Sequence, residues 1–265
     1  MGMRLGIIVS GLGLSLLLGG CGIIDFATTE KERKEDKKLP DYVPVQEYTG
    51  QGFRLRNHND EVDSFAEEHK KEITAAVKQF MRDHYHTDVV VHNFAGAHEY
   101  VSVFFESVGE LKYYSYVNVP VDLNQEIIFL DNIDSLEGVI EISITSAIYH
   151  RIYEEEFKKL DEYLNQAVKD HGLVGIRKEA LQHFSARGYA TPLYFVSTVG
   201  KDMDIIFDSY MDRKGDNIEE LIDKIDKDAL KDVSAGIGAS FFLWKIQTLG
   251  QVKMHSTKSC KILDK

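Results

Sequence analysis

Three short runs rich in β-branched and aromatic residues, at 88–94, 100–106 and 112–119, follow one another with Gly96 and Gly109 in the gaps. Gaps of hairpin length leave no room for a crossover, so the runs are expected to pair antiparallel as a meander. Just before them, Phe65, His69, Ile73, Ala76, Val77 and Phe80 recur at three- and four-residue steps, which puts one apolar stripe on a helix over about 64–84. Ser64 and Glu67 have the spacing of a capping box at its start. A striped helix next to a meander buries its stripe by lying on the sheet. The expected class is therefore α+β, an antiparallel sheet with helices packed on one face.

Residues 134–171 read as mainly helical, with Asp134 and Glu137 as cap and Gly172 as stop. Within them, Phe157, Leu160, Tyr163, Leu164 and Val168 fall on one side of a helix, whereas Ile140, Ile142 and Ile144 alternate as a strand would. Residues 193–198 read as a strand, and 201–212 and 217–230 as helices broken at Gly215. Residues 39–55 carry Pro40, Pro44 and Gly50-Gln51-Gly52, and are expected to lie extended on the domain through Tyr42, Val43, Val45, Tyr48 and Phe53. The pattern changes after Val233, where Phe241, Phe242, Leu243 and Trp244 can add a strand before a polar end.

The other end of the chain carries an address. Arg4 precedes an apolar run at 5–18 and then Gly19-Gly20-Cys21, the layout of a secretory leader. The run is short for about 30 Å of hydrocarbon, and Gly6, Gly11 and Gly13 weaken it as a spanning helix. Leu18-Gly19-Gly20-Cys21 resembles the bacterial lipobox, which implies cleavage before Cys21 and a diacylglyceryl group on it. Two long acyl chains hold a protein with on the order of 20 kcal/mol, enough for a lasting anchor. The mixed-charge stretch Glu30-Lys31-Glu32-Arg33-Lys34-Glu35-Asp36-Lys37-Lys38 has no apolar period and reads as a tether; about 20 flexible residues reach roughly 25 Å. The expected organisation is a leader at 1–20, a lipidated tether at 21–40, a single α+β domain at 41–233 and an atypical, loose tail at 234–265.

The formal net charge is -12, and loss of Arg4 with the leader makes the mature chain one unit more acidic. Such a surface repels phosphate backbones and anionic headgroups, so nucleic acid is excluded as a partner and attachment falls to the lipid. With Cys21 lipidated, Cys260 is the one remaining thiol and no internal disulfide can form. There is no phosphate-cradling glycine loop (Gly236 and Gly238 lack the third glycine), no Gly-x-Ser-x-Gly elbow, no second His at a helical step from His98-Glu99 and no Cys-x-x-Cys. No catalytic residue and no cofactor is assigned.

Three constellations remain. His84, His86, His92 and His98 crowd into fifteen positions, and a tight turn could bring His86 and His92 onto one metal ion, although their spacing matches no established ligand pattern. The bland alternative is a helix C-terminus that favours His. Asp204, Asp208 and Asp212 step by four, as a Ca²⁺-holding stripe or a solvated face would. Phe104, Phe105, Tyr113, Tyr114 and Tyr116 cluster on neighbouring strands, as sheet core or as the lining of a groove.

The lipobox, Tyr42-Val43-Pro44-Val45-Gln46-Glu47-Tyr48-Thr49-Gly50-Gln51-Gly52-Phe53, His69-Lys70-Lys71-Glu72-Ile73, Val91-His92-Asn93, Phe105-Glu106-Ser107-Val108-Gly109 and Val119-Pro120-Val121-Asp122 occur in that order. Together they resemble a family of uncharacterised lipoproteins of Bacillus- and Staphylococcus-type bacteria, over about 18–231. The resemblance implies a lipid anchor on the extracytoplasmic face of a cell membrane and carries over no catalytic residue. The chain is expected to depart from it after Val233. The expectation is a membrane-anchored, non-enzymatic binding module for an envelope protein or a small molecule. The alternative is an extracytoplasmic hydrolase or metal-dependent enzyme using the His84–His98 cluster. A two-lobed solute-binding protein is disfavoured by the meander.

Overall fold

The structure, a computed structural model, describes residues 43–184, 188–199, 203–213, 217–227, 230, 234–239 and 242–243. The leader, Cys21, the tether and Cys260 lie outside the described residues. The first helix, α1 (Asp60–Glu68), starts earlier than the capping box at Ser64 suggests. Asn59 is the cap: its backbone is extended and its side chain accepts from the amides of Glu61 and Val62. Asp60, Glu61 and Asp63 then place negative charge in the first turn, where the helix dipole favours it. Ser64 is one turn inside and donates back to the Asp60 carbonyl. The helix ends at His69, and α2 (Lys70–Tyr85) continues the run. The buried line is Val62, Ala66, Ile73, Val77 and Met81, with Phe65, Ala76 and Phe80 half-buried along its border.

The meander forms as expected. β1 (Val89–Gly96), β2 (Tyr100–Ser107), β3 (Tyr114–Asp122) and the two-residue β4 (Ile127–Ile128) lie in that order, all antiparallel. Val101, Val103 and Phe105 of β2, with Val117, Val119 and Val121 of β3, join α1 and α2 in the main core. The alternate residues Tyr100, Ser102, Phe104 and Glu106 stand opposite Pro120, Asn118, Tyr116 and Tyr114, and make the second face.

Residues 140–145 are helical, inside α3 (Val139–Ile152). Its Ile140, Ser143, Ile144, Thr145, Ser146, Ala147 and Ile148 are all buried, so the helix has no solvent-exposed face and a strand-like alternation can coexist with a helix there. The three hydroxyls solve the burial of polar atoms by bonding back to carbonyls of Val139, Glu141 and Ile142 and across to Ser115 and Thr198. α4 (Glu154–His171) ends at Gly172 as read from the sequence. The second sheet is β6 (Tyr189–Ala190), β7 (Tyr194–Val199) and β8 (Ser234–Ala239), and α3 packs against both β3 and β7. α5 (Lys178–Phe184) has no counterpart in the sequence reading; α6 (Met203–Met211) and α7 (Ile218–Lys224, capped by Asn217) match theirs in shortened form. β5 (Leu173–Val174) pairs with β9 (Phe242–Leu243). Of the stretch from Ser234, the described residues are the two strands: β8 pairs with β7 along its whole length, and β9 with β5. Among the described residues no helix is long and apolar enough to cross a membrane.

Candidate functional site

The structure disperses the histidine cluster. His84 donates from Nδ1 to the Phe80 carbonyl at 3.0 Å and stacks on the Phe80 ring. His86 closes α2 in the left-handed conformation, and its carbonyl accepts from Arg213 at 3.0 Å. His98 is exposed beside Glu99. His92 is the extra residue of a β-bulge, since Val91 pairs with Phe105 and Asn93 with Phe104. The bulge aims its ring across the second face, where Nε2 lies 3.2 Å from Oε2 of Glu106. His92 therefore meets an acid while His86 is exposed, and neither joins a group of three ligating side chains among the described residues. Asp204, Asp208 and Asp212 are exposed, as on a solvated face.

The group of three that does assemble is His58, Asp60 and Asp63, at the start of α1. Its signal was the spacing His58-x-Asp60-x-x-Asp63 beside a helix start. Nε2 of His58 is 2.9 Å from Asp60 and Nδ1 is 3.5 Å from Asp63, while Asp63 also accepts from the Gly96 amide. The hydrogen bond from His58, and then Arg54, holds the Asp60 carboxyl below its usual range. Both ring nitrogens thus face carboxylates, and the helix N-terminus opposes a bound cation. The cluster works as a staple joining the leading segment, α1 and the end of β1.

The second face of the first sheet holds a groove of about 330 Å³, lined by Phe53, Leu55, Tyr100, Ser102, Phe104, Tyr116, Asn118 and Leu136. Its floor is built by register: Ser102 opposite Asn118, and Phe104 opposite Tyr116. The Ser102 hydroxyl donates to Oδ1 of Asn118 at 2.7 Å. Phe104 and Tyr116 stack with centroids 5.6 Å apart, and Phe53 meets Phe104 edge-on at 5.5 Å. Leu136 is 57% exposed at the rim. The aromatic cluster of the sequence is therefore split by the pleat. Phe105 and Tyr113 belong to the core, and Phe104 and Tyr116 to the groove. Tyr100, Ser102 and Asn118 escaped notice although their period-two spacing with Phe104 and Tyr116 carried the signal; Phe53 and Leu136 reach the groove only through the fold.

Past the groove, α5 packs on β2. The next outward residue of β2, Glu106, is 17% exposed and receives Nε2 of Gln182 at 3.2 Å besides His92, with Nζ of Lys178 at 3.8 Å. Burial, then the Glu106 charge, pushes the neighbouring Tyr114 hydroxyl up to about 12. Asn93 donates to the His183 carbonyl, and Gly50 approaches the His183 ring so closely that a Cβ there would lie 2.3 Å from Cγ. A larger, shallower cleft of about 440 Å³ is edged by Asp60, Glu61, Glu68 and Glu126 around Phe65 and Leu123.

A family model described as a protein of unknown function, DUF1672, matches residues 35–256. The match runs past Val233, where the sequence reading expected a departure, in keeping with the place of β8 in the second sheet. The crystal structure of a DUF1672 family protein from Staphylococcus aureus subsp. aureus Mu50 superposes with a TM-score of 0.62 at 18% identity, covering 80% of this chain and 79% of that one. At that identity the likeness speaks for the fold. No curated protein matches the chain.

Proposed function

We propose that this chain, which belongs to the DUF1672 family of proteins of unknown function, is a lipoprotein of Firmicute type. It is held by lipid on Cys21 to the extracytoplasmic face of the cell membrane and works as a non-enzymatic binding module. The observation that carries the binding role is the open groove on the second face, where aromatic walls surround one hydroxyl–amide pair. Concave, mostly apolar sites with a few placed polar groups are the usual form of a ligand site. The anchoring role is carried by the leader and the Gly19-Gly20-Cys21 junction. Glu106 and His92 are read as ties that hold α5 to the sheet, because the carboxylate is also engaged by Gln182 and Lys178.

Two measurements test the two halves. Metabolic labelling with palmitate should mark the wild-type chain, and Cys21→Ser should lose both the label and the membrane fraction; label retained on Cys21→Ser would sink the anchor. A photo-crosslinker at Leu136 should capture an envelope component in intact cells. The same probe at Tyr163, which is 71% exposed on α4, should not. Equal capture at both positions would remove the groove from the account.

A further inference from the structure

We propose that α5 is a flap released by acid, because protons on His92 and His183 leave its corner of the fold with more positive charge than Glu106 offsets. The helix packs on β1 and β2 and buries Ala180 and Leu181. Its polar ties are few. Gln182 donates to Oε2 of Glu106 at 3.2 Å, Nζ of Lys178 stands 3.8 Å from Oε1, and the His183 carbonyl accepts from Asn93 at 3.0 Å. Nε2 of His92 stands on the same Glu106 oxygen as Gln182, also at 3.2 Å. His183 follows Gln182 and Asn93 follows His92, so these ties bring both imidazoles into one corner. The His183 ring is half-buried and packs on the backbone of Gly50, where a Cβ would lie 2.7 Å from Nδ1. The other groups at the corner add no free negative charge. Gly50 and Asn93 are neutral, Tyr114 keeps its proton up to about 12, and Glu179 is exposed and paired with Arg177 at 3.1 Å. With both histidines neutral, Glu106 answers Lys178 alone. With both charged it answers three cations, two of them on α5.

Burial, then the charge of His92, pulls the His183 pKa below its ordinary value. A released His titrates near 6.5. The released helix therefore takes a proton that the docked helix refuses. Docking is whole above about 6.5 and weakens as pH falls below it. Opening uncovers Ala180 and Leu181, so acid adds an apolar patch that the neutral form hides.

The test is amide exchange of the full chain in lipid nanodiscs at about pH 7.5 and about pH 5, with rates corrected for the intrinsic effect of pH. Protection of 178–184, measured relative to α3, should fall about fivefold or more in acid. His183→Phe keeps a ring against Gly50 and removes the proton, so its protection should stay level. His92→Gln keeps a donor for Glu106 and removes the charge, so its fall should be about half that of wild type or less. The second variant decides the test if the first does not fold. Wild-type protection that holds in acid overturns the proposal. A fall that either variant leaves in full overturns it as well, since the histidines would then not drive the release.

Discussion

His150 shows how a single titratable side chain is placed in this fold. Its ring stacks on Tyr189 with centroids 3.7 Å apart, Nε2 contacts the Tyr194 hydroxyl at 3.3 Å, and Nδ1 is buried without a hydrogen-bond partner. Burial, then the charge of Arg151, pulls its pKa down to about 4. An unfolded His titrates near 6.5. Between those values the unfolded chain binds the proton and the folded chain does not, so stability is whole above about 6.5 and is lost as pH falls toward about 4. His150→Phe keeps the stack and removes the titration. Thermal melts across that window should show a flatter pH dependence for the variant, and parallel curves would refute the assignment. Neither the pKa of His150 nor the meeting of His92 with Glu106 is visible in sequence. Tyr194 is 44 residues from His150, and Glu106 is 14 from His92 across a bulge. Such partners are chosen by packing.

At the scale of elements, spacing decided most of what could be read. The stripe of α1 and α2, the meander and the stop at Gly172 are all local patterns, and all three are present. α5 was missed because seven residues are too few to show a period. What holds it is a contact with a strand, and Glu106→Ala should release it. Loss of a charge-assisted tie of this kind costs about 1.5–3 kcal/mol. Amide exchange should accelerate in 178–184 well before the core of α3; unchanged protection there would count against the tie. α3 was ambiguous for the opposite reason, since no side of it is exposed and its pattern shows no polar stripe. Its close approach to the second sheet depends on Gly188, at φ +79, where a Cβ would lie 2.2 Å from the Val196 carbonyl oxygen and 3.0 Å from Oγ of Ser146. Gly188→Ala combines a left-handed backbone with a clash and should cost roughly 3 kcal/mol or more. Chemical denaturation measures it, and a loss below about 1 kcal/mol would contradict the close approach.

For the whole molecule, charge and address act together. An acidic surface gains nothing from anionic headgroups, so the proposed anchor is covalent lipid and not electrostatic. Concentrated salt should leave the protein with the membrane and detergent should release it; release by salt alone would point to a peripheral contact. By itself the sequence determined the α+β class, the antiparallel meander and the expectation of a lipidated Cys21. These follow from turn chemistry, side-chain period and a contiguous leader, which are properties of neighbours along the chain. Only the tertiary structure decided which face of the meander opens into a groove, that Phe53 and Leu136 wall it, and that β8 completes the second sheet. Those outcomes join residues far apart in the chain, where the free energy of burial, and not local preference, selects the partner.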